Sequence, residues 1–283
     1  MAEAALPQKR SALECIGRWV GGIALAASIL FIAQRLWLLD WASLRPYFSS
    51  SLAGSFVGAG LLFAAADVAL ARAWAVTADS EGAVAPRDMR RIYARGVLMK
   101  YLPGAIFQYL SRQYHGAKTG IGHKRLAQSA LLEIALHLVS SLAVAAVFFL
   151  AVHSIAAALA AGALAAICLL SIRRPLPRAL LLQMSAFALF ALAAILVGYA
   201  VFPAGTGLAQ FAAIFLLAWL AGFIVPVAPG GVGVREAALL MLGGGALPAA
   251  GLMAATLALR IASIGGDVLF GLAFTASGRS PGR

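Results

Sequence analysis

Charge is what this 283-residue sequence has least of. Only 11% of its residues are charged, and ten acids stand against 22 lysines and arginines, where a soluble domain carries about 25% charged residues. From residue 179 to 234, 56 consecutive residues carry no formal charge, and the stretch between Glu133 and Arg173 carries none either. A helix crossing the hydrocarbon core of a bilayer needs about 20 apolar residues, and a chain that is 63% hydrophobic supplies several such runs. An ordinary soluble fold is excluded. Cysteine is nearly absent: Cys15 and Cys168 form no CxxC pair, so neither a disulfide framework nor a metal site is expected. The four histidines are scattered without ligand spacing. GxSxG, HExxH and a phosphate-binding Lys-Ser/Thr loop are all missing, so no soluble-enzyme chemistry and no cofactor are expected.

What charge there is lies in clusters. The net charge of +12 would suggest nucleic acid as the partner of a soluble chain. Here, ten of the basic residues fall between Arg72 and Arg125, against three acids, and three more are Arg173, Arg174 and Arg178. Basic residues concentrated in loops are what the positive-inside rule places in the cytoplasm, and nucleic acid is not an expected partner. The first apolar stretch follows Lys9, Arg10 and Arg18 like a signal-peptide core. It continues past Ser28 through 29–33 and therefore reads as an uncleaved anchor.

These runs predict an all-α polytopic membrane protein, a single integral membrane domain over 1–283. Full spans are expected at about 16–38, 47–71, 127–151, 154–172, 179–201, 205–225 and 248–275, about seven in all within a range of six to eight. The basic loops at 72–125 and 173–178 would lie on the cytoplasmic side with the N-terminus. Two further segments are apolar but broken. Residues 96–112 are interrupted by Pro103-Gly104, with Lys100 and Arg112 towards their ends. Residues 226–245 contain Pro226, Pro229, Gly230, Gly231 and Gly233, which forbid a continuous helix. Irregular backbone at membrane depth is tolerated where it is buried in protein or lines a wet cavity, so both segments read as re-entrant elements. The alternatives are a cytoplasmic amphipathic helix for the first and a plain interhelical loop for the second.

Each break is followed by a helix with a polar stripe. Ser129, Glu133, His137 and Ser140 are spaced four, four and three; Thr256, Arg260, Ser263 and Asp267 are spaced four, three and four. Either spacing places its set on one helical face. Two such halves, 16–151 and 154–275, suggest the pseudo-repeat of a transporter with a central site. Ionisable groups in a bilayer cost roughly 2.5–3.5 kcal/mol on insertion scales and mark function by default. The candidates are Asp67, Glu133, His137, Arg235, Glu236, Arg260 and Asp267. Arg260 and Arg235 lie near a glycine-rich break whose free N–H groups suit an anion. Lys100 and Arg112 would contact a headgroup phosphate or simply snorkel. Glu133 and His137, at i and i+4, are placed to share a proton. Asp67 would either take part in charge balance or be neutralised by nearby Arg72. Gly17-xxx-Gly21 and Gly54-xxx-Gly58 read as close-packing faces.

Lys-Tyr-Leu-Pro-Gly at 100–104 with Ser111-Arg112, and Pro-x-x-Pro-Gly-Gly-x-Gly-x-x-Glu at 226–236, together with the Arg260 helix, resemble the flippase-like transmembrane region of lysylphosphatidylglycerol synthases, over about residues 15–275. Pro103, Gly104 and Arg112 match the first motif. Pro229, Gly230, Gly231, Gly233 and Glu236 match the second. The resemblance implies a multi-pass protein of the bacterial inner membrane, with two re-entrant elements meeting at its centre. It also implies transfer of aminoacylated phospholipids or glycosylated lipids between leaflets. Fused members carry a soluble aminoacyl-transferase domain; the last span here is followed by eight residues to Arg283, and aminoacyl-lipid synthesis is not expected.

The expected function is that of a lipid flippase. Arg260 and Arg235 would hold the headgroup, with Lys100 and Arg112 nearby, while Glu133, His137, Glu236, Asp267 and Asp67 balance charge or carry protons. Two other readings are a membrane-embedded transferase acting on a polyprenyl phosphate and an accessory subunit of a lipid synthase. Expected partners are membrane lipids and a separately encoded synthase or glycosyltransferase.

Overall fold

The structure, a computed structural model, describes residues 34, 37, 41–47, 50–101, 106–202, 207–224, 231, 233–245 and 247–275. The span expected at 16–38 and Gly17-xxx-Gly21 therefore lie almost entirely outside the described residues. So do Pro103, Gly104, Pro226, Pro229 and Gly230.

A helical turn, Trp41–Leu44, runs into a single 3-10 turn, Arg45–Tyr47. Nine helices follow among the described residues: α1 (Ser50–Ala78), α2 (Pro86–Met99), α3 (Phe107–Ala117), α4 (His123–His153), α5 (Ile155–Ser171), α6 (Pro175–Val201), α7 (Leu208–Ile224), α8 (Val234–Gly243) and α9 (Ala249–Thr275). Their boundaries have local causes. Proline opens α2 and α6, where its missing N–H is no loss. After α1, both carboxylate oxygens of Asp79 take backbone N–H groups, from Ala83 at 3.2 Å and Val84 at 2.7 Å. Ser154 is extended, ends α4 and caps α5 by accepting from Ala157 N at 3.2 Å.

Helices α1, α4, α6 and α9 are each long and apolar enough to cross a membrane, consistent with a polytopic helical membrane protein. α5 and α7 are apolar but only 17 residues long, about 25 Å at 1.5 Å per residue. The sequence reading took both as full spans. The last turn of α7 packs Phe223 against His137, with ring centroids 5.2 Å apart, halfway along the 31-residue α4.

Contacts also fix the direction of each helix. α1 and α6 form the most extensive pair and run antiparallel, Gly58 meeting Leu196 and Phe63 meeting Phe190. Alanines at 59, 66, 186, 193 and 194 are all buried in this core, as expected where close backbone approach rather than water exclusion drives helix association. α1 and α9 also approach closely: a Cβ on Gly266 would lie 2.7 Å from the carbonyl oxygen of Gly60. Gly58 thus acts in packing, as expected, whereas a Cβ on Gly54 would meet nothing within 4 Å.

α2 and α3 form one helical hairpin and α7 and α8 another. The first returns along itself, with Gly96 of α2 against Arg112 of α3, and the Gly116 end of α3 reaches Leu126 near the start of α4. The second enters from the opposite end of the bundle, since α7 begins beside Gly198, near the end of α6. The succession of long helix, hairpin and long helix in α1–α4 recurs, inverted, in α6–α9, with α5 joining the two.

Candidate functional site

The two hairpins converge on α9. Where α2 ends, Lys100 Nζ lies 2.7 Å from the Asp267 carboxylate and Tyr101 donates its hydroxyl to the same group. Where α8 begins, Glu236 accepts from Arg260 Nε at 2.6 Å and, with its other oxygen, from the Gly233 N–H at 2.6 Å. One carboxylate thereby closes the first turn of α8, where the helix dipole favours an anion, and ties it to α9. Arg260 and Asp267 are seven residues apart on one face of α9, about 10 Å along the axis. The hairpin ends are thus held about two helical turns from each other. Ser263, between them, does not bridge the pair: it donates to the Arg260 carbonyl at 2.8 Å, and Thr256, one turn before Arg260, donates to the Leu252 carbonyl at 2.7 Å.

Arg235 is seated by two glycines. A Cβ on Gly222, in the last turn of α7, would overlap Arg235 Cγ, and one on Gly231 would come within 2.8 Å of Nε. Gly231 also has φ of +73°, a conformation that side chains disfavour. The guanidinium lies 5.2 Å over the Trp219 ring, a cation–π contact. Its Nε is buried and has no hydrogen-bond partner among the described residues. Trp219, Arg235, Thr256, Arg260 and Ser263 line a cavity of about 20 Å³, room for about one water.

On the other side of the same centre, Asp67 is 3% exposed and stands beside Asp267. Its Oδ2 has no hydrogen bond among the described residues. The expected neutralisation by Arg72 is not what the structure contains. α1 continues to Ala78, so Asp67 is well inside the helix and faces α9, while Arg72 is exposed. Two groups thus stand outside the ion pairs Lys100–Asp267 and Arg260–Glu236, namely Arg235 and Asp67. Arg235 lies within Coulombic range of both Tyr101 and Asp267.

Arg112 and Glu133 form a separate clasp. Their 2.5 Å ion pair is buried, with side-chain exposures of 6% and 3%. Tyr93 donates to the second Glu133 oxygen at 2.9 Å. Three aromatic rings surround the guanidinium, with centroids at 4.5 Å (Tyr93), 4.9 Å (Tyr109) and 5.6 Å (Trp74). Gly96 permits the approach, since a Cβ there would be 3.0 Å from Arg112 Cγ. The clasp joins a hairpin to the following long helix as Glu236–Arg260 does in the other repeat, with the charges exchanged. His137 does not share a proton with Glu133: its Nδ1 lies 2.8 Å from the Glu133 backbone carbonyl, because Arg112 and Tyr93 occupy the carboxylate. Its ring instead packs among Phe187, Trp219 and Phe223.

The predicted charged residues therefore fall into two groups. Lys100, Asp267, Asp67, Arg235, Glu236 and Arg260 meet at the centre, with Gly231 and Gly233 beside them. Arg112, Glu133 and His137 form a buried strut on the α4 side. Sequence reasoning missed Trp219, Gly222, Tyr93 and Tyr101. Only Tyr101 carried a usable signal, as the neighbour of Lys100 in the first motif. Among the described residues no three His, Cys, Asp or Glu side chains converge to hold a metal ion. Comparison with protein-family models, curated proteins and solved structures finds no match to this chain.

Proposed function

We propose that this chain moves an anionic phospholipid or glycosylated lipid between bilayer leaflets. On this reading the α2–α3 and α7–α8 hairpins are re-entrant elements, and the basic end of the bundle faces the cytoplasm of a bacterial cell. The observation that carries the reading is the meeting of two oppositely directed hairpins at a buried charge cluster in which Arg235 has no ion-pair carboxylate among the described residues. A headgroup phosphate supplies the missing anion. It would be taken by Arg235, with Arg260 released from Glu236, while the acyl chains stay in the bilayer. Asp67, beside Asp267, is the group best placed to gain and lose a proton as the cluster rearranges. Inverted repeats around a midplane site favour alternating access by rocking of one half against the other.

The test is reconstitution into vesicles with fluorescent phosphatidylglycerol in the inner leaflet, followed by its arrival at a membrane-impermeant quencher. Wild type should transfer lipid, and Arg235→Ala and Arg260→Ala should each slow transfer at least tenfold at equal incorporation. Transfer that is absent in wild type, or unchanged in both variants, would sink the proposal. A chemically altered lipid after incubation with a polyprenyl-phosphate donor would replace transport with transferase activity.

A further inference from the structure

At the basic end of the bundle, far from the hairpin tips, the end of α1, the loop at 79–85, the start of α2, the end of α5 and the start of α6 enclose a cleft of about 700 Å³. That is the volume of a small-molecule site. Arg173, Arg174 and Arg178 line one side and Asp79 and Glu81 the other. The acids are already used. Asp79 holds two backbone N–H groups, and Glu81 pairs with Arg125 at 3.0 Å. The three arginines have no ion pair or side-chain hydrogen bond among the described residues. The first turn of α6 has no side-chain cap, so the positive end of its dipole adds to theirs.

The rest of the lining is apolar. Ala75, Val76 and Leu181 form part of the wall, and Leu169, Leu170 and Ile172 carry it onto α5. There the outward face, including Leu164, Ile167 and Leu170, is exposed and suits contact with acyl chains. Keeping basic residues on one side of a membrane requires neither a cavity nor carboxylates across it that are engaged elsewhere. We infer that this cleft is a binding site for the phosphate of an anionic phospholipid, with the headgroup among Arg173, Arg174 and Arg178 and the acyl chains lying along α5. The site is separate from the central cluster and does not rest on the transport reading.

The test uses the full chain in nanodiscs of mixed phosphatidylglycerol and phosphatidylcholine, with native mass spectrometry to count the lipid retained on release. Wild type should retain phosphatidylglycerol selectively. The triple variant Arg173→Ala, Arg174→Ala, Arg178→Ala should lose that retention by about tenfold or more. A matched triple outside the cleft, Arg87→Ala, Lys118→Ala, Lys124→Ala, removes equal charge from the same end and should stay within about twofold of wild type. Ile172→Asp, an exposed change at the cleft, should weaken retention with all three arginines in place, and it serves as the second variant should the triple fail to fold. Equal losses in the two triples, or unselective retention by wild type, would reduce the lipid to bulk annular lipid and overturn the inference. Titration with inorganic phosphate and glycerol 3-phosphate separates the headgroup from its chains: saturable binding of either as tight as that of the lipid would also overturn it.

Discussion

Replacing Glu133 by Gln removes one charge from a pair that water hardly reaches and leaves Arg112 buried without its anion. Breaking a buried ion pair from one side costs about 3–5 kcal/mol. Three aromatic faces remain around the Arg112 guanidinium at 4.5–5.6 Å, each worth about 0.5–2 kcal/mol, and the new amide still accepts from Tyr93. The loss should therefore fall near the lower bound, about 3 kcal/mol, a factor of about one hundred in the folding equilibrium. Arg112→Met is the harsher change: the aromatic rings offer Glu133 no compensation, and among the described residues Tyr93 is the side chain left donating to it. Its loss should lie nearer the upper bound, about 5 kcal/mol. The double variant should cost less than the sum of the singles by about 2 kcal/mol or more, because neither charge is stranded. Denaturant titration in detergent micelles, followed by tryptophan emission with Trp74 close to the clasp, would measure all three. A Glu133→Gln variant within about 1 kcal/mol of wild type, combined with additive singles, would refute the claim that this pair is desolvated and coupled.

Two further expectations follow from close approaches. Gly266→Ala sets a Cβ 2.6 Å from Phe63 Cβ and 2.7 Å from the Gly60 carbonyl, neither of which can rotate away, so it should destabilise the bundle by about 1–3 kcal/mol; unchanged thermal stability would mean that α1 and α9 are farther apart. Gly222→Ala overlaps the stem of Arg235; it should move that side chain off Trp219 and slow lipid transfer about tenfold, at a stability cost of about 1 kcal/mol. Full transfer at wild-type stability would show that the seating of Arg235 is irrelevant.

Composition and period alone determined much of this protein. Long apolar runs with few charges announced α4, α6 and α9 within a few residues and α1 to within seven, because a helix with nothing to pair its backbone in hydrocarbon must satisfy it internally. The break between α4 and α5 was legible as a short uncharged link; the start of α6 was not, because the arginines of 173–178 read as a loop while Pro175, in fact, opens the helix. Buried charges were legible as candidates, since their desolvation cost singles them out wherever they sit. Their partners were not. Glu133 chose Arg112 and Tyr93 over His137, and Asp67 turned to Asp267 rather than Arg72. Side chains one turn apart share a face, but a hairpin folded back from elsewhere in the chain can bring a better-directed donor. The same reason hid Gly222 and Trp219. Nothing in the order of residues near 220 says that an arginine from the next helix will lie across that turn. Only the packing of the two hairpins against α9 decides which charges are spent on holding the bundle and which are left outside its ion pairs.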